Sequence, residues 1–247
     1  MNPTGNTVLV TGATSGIGLG LALRLHAAGN TVVVAGRRTE RLAQIVAENP
    51  GVESVVLDVT DPASIAAVAQ EVTTRFPQMN VLVNNAGIME PEDLRTGADL
   101  ETAERTVTTN LLGPLRLLSA FVPHLLRQPS ATIVNVTSGL AFVPLPATPT
   151  YSATKAALHS FTDSLRVQLA GTGVQVVELA PPGVQTTLMG QQDDPGAMPL
   201  EEFLTEAHGI LTGTPDVEQV LVERVHPLRF AEANGNYAQV LGMLSAH

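Results

Sequence analysis

The stretch Thr7–Gly18, with the sequence TVLVTGATSGIG, decides how this chain is expected to fold. Its first residues form an apolar, β-branched run, which predicts a buried strand. Glycines follow at Gly12, Gly16 and Gly18, and helical spacing continues to Ala28. Glycine permits a tight turn and a close approach to an anion, and the amides of a helix N-terminus attract phosphate. Glycines can also end a strand for structural reasons alone, but this context favours a turn that binds a nucleotide.

The rest of the chain repeats this alternation of strand and helix. The predicted strands are Thr7–Thr11, Thr31–Ala35, Ser54–Leu57, Val81–Asn84, Thr132–Thr137, Val174–Leu179 and, in the tail, Gln219–Val222. The predicted helices are Ile17–Ala28, Thr39–Glu48, Pro62–Phe76, Thr102–Leu126, Tyr151–Ala170, Leu200–Leu211, Pro227–Ala233 and Tyr237–Ser245. This pattern predicts an α/β fold, a Rossmann-type doubly wound parallel sheet of about seven strands with helices on both faces. No linker is evident, so we expect one domain over residues 1–247, with a substrate-binding loop and helix at about 184–213.

Composition excludes several kinds of protein. The 247 residues include 13 basic and 23 acidic side chains, a formal net charge of −10, and no cysteine. Disulfides and thiolate metal sites are therefore excluded, and neither a nucleic acid nor an anionic membrane is an expected partner. The histidines show no metal-ligand spacing, so we predict no metal at the site. No apolar run is long enough to span a membrane and no signal peptide is evident, so we expect a cytoplasmic protein.

The end of the second predicted strand indicates which nucleotide is bound. Folds that prefer NAD usually place a carboxylate there, whereas this chain has Arg37 and Arg38. A guanidinium can bind a ribose 2′-phosphate, so we predict NADP(H), with Arg37 the first choice and Arg38 the second, and with NAD(H) still possible. Alternatively, both arginines are solvated charges before a helix. Asp58, after the third strand, could accept a hydrogen bond from adenine or could cap its own turn with Thr60.

Tyr151 and Lys155 carry the predicted chemistry. Residues four apart lie on one helix face, and Lys155 is the only lysine in the chain. A free tyrosine has a pKa of about 10, and a nearby ammonium favours the phenolate. We expect the pKa of Tyr151 to fall well below that value when a second cation, such as the nicotinamide ring of NADP⁺, lies beside the partly desolvated pair. Such a phenol can donate a proton to a carbonyl or remove one from an alcohol. The alternative is an ordinary packed helix face, but Ser138 at the preceding strand end argues for a site.

These motifs follow one another in an order that resembles the short-chain dehydrogenase/reductase family. The matching residues are TGATSGIG at Thr11–Gly18, Asp58 and Val59, NNAG at Asn84–Gly87, Asn110, Ser138, YSATK at Tyr151–Lys155, Pro182, Gly183 and Thr187. They span about three quarters of the chain. Two features depart from the family pattern: Pro181 adds a second proline before Gly183, and the tail from Met198 lacks the usual glycine-rich ending. The tail resembles that of a DltE-like branch of the family.

The resemblance implies a role for each matched position. Tyr151 would be the general acid/base, Lys155 would lower its pKa and hold the nicotinamide ribose, and Ser138 would orient the substrate carbonyl. Asn110 would hold a water in a proton relay, although an asparagine bonded to the backbone is the alternative. Thr187 would contact the nicotinamide carboxamide. The expected cofactor contacts are Gly12, Thr14, Ser15, Gly16, Ile17, Gly18, Arg37, Arg38, Asp58, Val59, Asn85, Ala86, Gly87, Tyr151, Lys155, Pro182, Gly183 and Thr187. The family also implies a homodimer or homotetramer.

Two loops indicate the substrate. Gly139–Thr150 and Gly183–Gln192 contain no charged side chain, which favours a small, mainly apolar ketone or secondary alcohol unless these residues simply pack under the next helix. The predicted pocket residues are Leu140, Phe142, Val184, Leu188 and Met189. We therefore expect an NADPH-dependent carbonyl reductase or alcohol dehydrogenase. The alternatives are a 3-oxoacyl (ACP or CoA) reductase, which the acidic stretch Val184–Glu223 makes less favoured, and a cofactor-sensing regulatory protein without turnover.

Overall fold

The computed structural model describes residues 1–97 and 99–245, and in this part of the chain seven strands form one sheet. The strands are β1 (Thr7–Thr11), β2 (Thr31–Gly36), β3 (Val52–Val56), β4 (Val81–Asn84), β5 (Ala131–Val136), β6 (Val174–Leu179) and β7 (Gln219–Val220). The helices are α1 (Gly16–Ala27), α2 (Thr39–Glu48), α3 (Pro62–Arg75), α4 (Leu100–Val107), α5 (Gly113–Leu125), α6 (Pro149–Gln168), α7 (Leu200–Gly213), α8 (His226–Arg229) and α9 (Tyr237–Leu244). All strand pairs are parallel, so the predicted doubly wound sheet is confirmed.

Apolar side chains cover both faces of the sheet. Alternate residues of β1 point to opposite faces, so Val8 joins the core under α1 and α7, while Leu9 joins the core under α3 and α5. Phe203 fills the first core and Phe121 the second, and both are fully buried. This two-sided burial explains why the strands form nearly continuous apolar runs in the sequence.

The strand order places the carboxyl ends of β1 and β4 side by side. Across the sheet the order is β3-β2-β1-β4-β5-β6-β7, so the chain changes direction between β1 and β4. The register pairs Val8 with Val81 and Val10 with Val83. Ligands of open parallel sheets bind where the strand order reverses. The glycine-rich turn after β1 therefore faces the Asn84–Gly87 segment at that point.

Several predicted elements have different bounds in the structure, mostly by one or two residues at an end. The long helix predicted at Thr102–Leu126 begins at Leu100 and contains a π-helical turn at Thr108–Leu112, which separates α4 from α5. Strand β3 begins at Val52 because its register follows β2, and it ends at Val56. Helix α8 ends at Arg229, earlier than predicted.

The tail helices form a small core of their own. Val143, Ala231 and Val240 are buried together, and Leu228, Leu241 and Leu244 pack against them. Helices α8 and α9 therefore lie over the segment that follows β5. Within the described residues, no helix has both the length and the hydropathy that crossing a membrane requires.

Candidate active site

A cleft of about 520 Å³ lies at the carboxyl ends of the central strands. Thirteen of the residues that the sequence singles out for cofactor binding or catalysis line it. They are Gly12, Ser15, Gly16, Ile17, Gly18, Asn85, Gly87, Ser138, Tyr151, Lys155, Pro182, Gly183 and Thr187. The structure thus brings the glycine-rich turn, three strand ends and the start of α6 into one site.

The glycine-rich turn is shaped to approach an anion. Gly12 and Gly16 have positive φ values of 65° and 55°, which glycine adopts without strain. A Cβ atom at Gly12 would lie 2.7 Å from the Cα atom of Ala86, so the turn and the end of β4 are in close backbone contact. Ser15, which precedes α1, makes no side-chain cap with the described residues, so the first amides of the helix stay available. These features fit a dinucleotide pyrophosphate.

Arg38 lies across this turn. Its Nε and Nη2 atoms donate to Thr14 Oγ1 at 3.1 and 2.7 Å, and Nη2 also donates to Ser15 Oγ at 2.9 Å. Arg41, which the sequence analysis did not identify, donates to the Thr14 carbonyl at 3.5 Å from the next turn of α2. Two guanidinium groups and two hydroxyls therefore gather beside the turn.

Arg37, Asp58 and Val59, the other residues predicted to contact the adenosine, have partners outside the glycine-rich turn. Asp58 Oδ1 accepts hydrogen bonds from the Thr60 amide at 2.9 Å and the Thr60 hydroxyl at 2.7 Å, as in the capping alternative. Burial opposes ionisation of Asp58, but the bonds from Thr60 and the charge of Arg37 hold its pKa below the usual value. Val59 belongs to a buried core and its carbonyl packs against Gly113. The first-choice Arg37 thus acts on Asp58, and it is the second-choice Arg38 that reaches the glycine-rich turn.

Three of the four residues predicted to be catalytic meet in the cleft, and all three are buried. The exposed fractions are 7% for Ser138, 7% for Tyr151 and 4% for Lys155. Lys155 Nζ donates to the Val136 carbonyl at 2.7 Å and lies 5.6 Å from the centroid of the Tyr151 ring. Ser138 Oγ accepts from the Leu140 amide at 3.1 Å. A carbonyl entering the cleft therefore finds a hydroxyl, a phenol and an ammonium close together.

Burial determines the protonation of this group in the protein alone. Burial raises the pKa of Tyr151 to about 12, although the Ser138 hydroxyl, which donates to the phenolate, acts in the opposite direction. Burial also lowers the pKa of Lys155 to about 8. In the protein alone, desolvation of the phenol outweighs the stabilisation of its anion, and the lowering expected beside NADP⁺ stays a prediction. At neutral pH the phenol keeps its proton.

Asn110 lies behind the site on the π-helical turn. The Ile88 amide donates to its Oδ1 atom at 2.8 Å, and its Nδ2 atom donates to the Ile88 carbonyl at 2.8 Å. This pairing with the backbone is the alternative that the sequence left open. A Cβ atom at Gly87 would lie 3.3 Å from Asn110 Oδ1 and 3.7 Å from Lys155 Nζ, so Asn110 is also near the ammonium. The proton relay itself stays a prediction.

The remainder of the cleft is mainly apolar. The predicted residues Leu140, Val184 and Leu188 line it. Phe142 and Met189 are not among the described residues that line the cleft, so their predicted place in the pocket is wrong. Phe142 packs instead with its ring centroid 4.8 Å from that of His159 and 4.6 Å from the Arg229 guanidinium. Met189 is 36% exposed on an irregular turn.

Sequence reasoning missed ten lining residues. They are Met89, Val136, Thr137, Leu145, Pro181, Thr186, Gln191, Asp194, Leu228 and Leu244. Leu145 lies in a loop already assigned to the substrate and could have been found there. Leu228 and Leu244 reach the cleft only because α8 and α9 pack over Val143, and no local pattern signals this. Asp194 is the one carboxylate of the described lining, and its Oδ1 atom accepts from the Gly196 amide at 2.7 Å.

Comparisons with known proteins agree with this geometry. The family model described as short chain dehydrogenase matches residues 6–196. The uncharacterized oxidoreductase DltE of Bacillus subtilis (strain 168) is 42% identical over 235 residues, which cover 94% of this chain and 93% of that protein. The match extends through the tail, so the resemblance to a DltE-like branch is confirmed.

Two solved structures share the whole architecture. A short chain dehydrogenase from Burkholderia cenocepacia J2315 in complex with NADP has a TM-score of 0.84 at 28% identity, covering 99% of both chains. The 3-ketoacyl-(acyl-carrier-protein) reductase of Brucella melitensis complexed with NADH has a TM-score of 0.80 at 26% identity, covering 91% of this chain and 100% of that one. This chain belongs to the short chain dehydrogenase family and is an NAD(P)-dependent oxidoreductase.

Proposed function

We propose that this oxidoreductase uses NADP(H) to interconvert a small, mainly apolar ketone and its secondary alcohol. The observation that carries the proposal is the meeting of Ser138, Tyr151 and Lys155 in a cleft that continues into the glycine-rich turn. A bound nicotinamide would supply a hydride to the carbonyl carbon of the ketone, or accept one from the carbinol carbon of the alcohol. The residues of the protein bind the oxygen atom and move its proton.

Tyr151 acts as the general acid in ketone reduction. Its phenol is protonated at neutral pH, since burial raises its pKa to about 12, and it donates this proton to the carbonyl oxygen as negative charge develops there. The Ser138 hydroxyl donates a hydrogen bond to the same oxygen and so fixes its position. The buried ammonium of Lys155 stabilises the phenolate that remains. In alcohol oxidation the same groups act in reverse.

The preference for NADP(H) is supported by the groups beside the glycine-rich turn. Arg38 offers a planar donor pair within bonding distance of Thr14 and Ser15, and Arg41 adds a second positive charge. A ribose 2′-phosphate beside these groups would accept charge-assisted hydrogen bonds, which a 2′-hydroxyl forms only weakly. The NADP held by the related Burkholderia enzyme is consistent with this choice.

An apolar substrate is supported by the apolar wall of the cleft. Leucines from five positions line it, namely Leu140, Leu145, Leu188, Leu228 and Leu244. A leucine-lined wall favours a neutral, apolar group beside the reacting carbonyl. Asp194 opposes an anionic substrate or an acidic carrier, so we do not extend the 3-oxoacyl activity of the Brucella relative to this chain.

Replacement of Tyr151 by phenylalanine tests the mechanism. Phenylalanine keeps the ring but has no proton to donate, so we expect turnover of ketones to fall by about 10²–10⁴-fold. NADPH binding should persist, because the ring still fills its place. The measurement is NADPH consumption with a panel of neutral ketones, together with NADPH binding by fluorescence.

Tyr237→Phe provides the matched control, since Tyr237 is the other tyrosine and is 37% exposed at the start of α9. This variant should turn over at the wild-type rate. Turnover of Tyr151→Phe close to that of the wild type would overturn the mechanism. Tight NADPH binding by the wild type without turnover of any ketone would instead favour the cofactor-sensing protein.

A further inference from the structure

A buried carboxylate outside the proposed mechanism is bonded to three separate segments of the site. Glu178 on β6 is fully buried, with an exposed fraction of 0%. Its Oε1 atom accepts from the Thr137 hydroxyl at 2.6 Å, and its Oε2 atom accepts from Gln219 Nε2 at 2.6 Å. His159 Nδ1 lies 3.0 Å from Oε1 and 2.9 Å from Oε2. Every donor to this carboxylate thus comes from a different element.

Two of these donors are adjacent to the catalytic group. Thr137 immediately precedes Ser138 in the sequence. His159 follows Lys155 by four residues and Tyr151 by eight, so the three side chains lie on the same face of α6. Glu178 therefore connects the strand end that carries the serine to the helix that carries the tyrosine and the lysine.

The third donor, Gln219, links Glu178 to the helix that carries Leu228 of the apolar wall. Gln219 on β7 uses its Oε1 atom to accept from Arg229 Nε and Nη2 at 3.2 and 3.0 Å. Arg229 ends α8, directly after Leu228, which lines the cleft. A Cβ atom at Gly139 would lie 2.6 Å from Leu228 Cδ1, so α8 presses against the turn that follows Ser138. The network thus extends to the substrate side of the cleft.

The groups around Glu178 and His159 favour the ionised form of both side chains. The bond to Glu178 raises the pKa of His159 against the effect of burial, with support from Asp163 on α6 and opposition from Arg229 on α8. Burial works to raise the pKa of Glu178, but the bonds from His159, Thr137 and Gln219 lower it below the usual value. The ion pair therefore persists above the pKa of Glu178 and is lost as pH rises through that of His159.

We propose that Glu178 is a positioning residue that fixes Ser138, helix α6 and helix α8 relative to one another. The proposal rests on the proposed function of the cleft, because it concerns the placement of the same catalytic group. A buried carboxylate that loses one donor cannot turn to water, so its remaining partners shift to satisfy it. Removal of a donor should therefore disturb the geometry of catalysis more than the binding of the cofactor.

Thr137→Val and Thr137→Ser form the test pair. Valine has nearly the shape of threonine but lacks the donor, whereas serine keeps it. We expect Thr137→Val to lower kcat/KM for the ketone by about tenfold, the loss that about 1.4 kcal/mol produces, with NADPH affinity within about twofold of wild type. Thr137→Ser should recover most of that loss. Equal losses in the two variants would overturn the proposal.

Glu178→Gln adds a readout that a merely structural role would not affect. The amide is neutral and cannot pair with a cation, so the pKa of His159 should fall, because its bond to Glu178 is the largest contribution that raises it. The ratio of wild-type to variant kcat/KM should then be largest below the wild-type pKa of His159 and should fall as pH rises through it. A ratio that does not change with pH would contradict the inference.

Crystal structures of the threonine variants with NADP⁺ separate this inference from the proposed function. If the wild type reduces no ketone, the proposed function fails, and the position of Ser138 still decides the inference. We expect Ser138 Oγ to leave the Leu140 amide in Thr137→Val and to stay at its wild-type distance of 3.1 Å in Thr137→Ser. An unmoved Ser138 in Thr137→Val would overturn the positioning role.

Discussion

The two sides of the cleft are built in different ways. On the cofactor side the lining comes from two short segments, Gly12–Gly18 and Asn85–Gly87, and four of its residues are glycines, which present backbone rather than a side chain. On the substrate side the lining consists of single side chains from segments that are far apart in the sequence, such as Leu145, Leu188 and Leu244. The cofactor side therefore depends on backbone conformation, which few residues can adopt, and the substrate side depends on side-chain size, which many residues can vary.

Gly12→Ala should have the largest effect, because it changes the backbone side at its tightest point. Alanine at a φ of 65° is strained by about 1–2 kcal/mol, and its Cβ atom would approach Ala86 Cα to 2.7 Å. Since about 1.4 kcal/mol changes an affinity tenfold, strain and contact together should weaken NADPH binding by about 100-fold or more. Fluorescence titration measures the affinity, and thermal unfolding shows whether the variant is folded at the assay temperature.

The same substitution at Gly209 is the control. Gly209 is exposed in the middle of α7, and no described atom lies within 4 Å of the position that a Cβ atom would take there. Alanine at this position should raise the free energy of unfolding by up to about 1 kcal/mol through helix propensity and leave NADPH affinity unchanged. If Gly12→Ala and Gly209→Ala lost NADPH affinity equally, the cofactor side would not depend on backbone conformation in the way described.

Arg38→Ala should have a smaller effect, confined to one group of the cofactor. A charge-assisted hydrogen bond contributes about 1.5–3 kcal/mol, so the dissociation constant of NADPH should rise by about 10–100-fold. The dissociation constant of NADH should rise by less than about threefold, because NADH lacks the 2′-phosphate. Titration of both cofactors isolates that phosphate from any general loosening of the glycine-rich turn.

Arg37→Ala is the matched control, since Arg37 is the neighbouring arginine and is exposed beside Asp58. We expect it to change neither affinity by more than about threefold. A loss of NADPH affinity in Arg37→Ala but not in Arg38→Ala would show that Arg37 binds the 2′-phosphate, as the sequence alone indicates.

The fold could be predicted almost completely because its signals are local. Strands β4 and β6 coincide with the apolar runs Val81–Asn84 and Val174–Leu179, since burial on both faces leaves an unbroken apolar pattern. The π-helical turn at Thr108–Leu112 could not be predicted, because the residues around it show no local signal for one and the partner of its Asn110 is the backbone of Ile88, 22 residues away. Local patterns carry no information about such a partner.

The site could be predicted only where its chemistry lies in a short motif. The turn from Gly12 to Gly18 and the Tyr151–Lys155 pair follow from spacing. The order of Arg37 and Arg38 could not, because consecutive side chains point in different directions and only the local backbone decides which one faces the turn. The rise of the Tyr151 pKa in the protein alone could not be predicted either, because the depth of burial is a tertiary property.

Leu244→Ala should have the smallest effect and should fall on the substrate alone. Leu244 is half-buried at the end of α9, so removing three carbon atoms from it creates space in the cleft without emptying a closed core. We expect kcat/KM to shift by about three- to tenfold in favour of bulkier ketones, with NADPH affinity unchanged. Met243→Ala is the control, because Met243 is the preceding residue, is 57% exposed and is not part of the described lining. A shift in ketone preference that both variants share would mean that α9 acts through its general packing, whereas a shift confined to Leu244→Ala would show that single side chains of the tail set the size of the substrate.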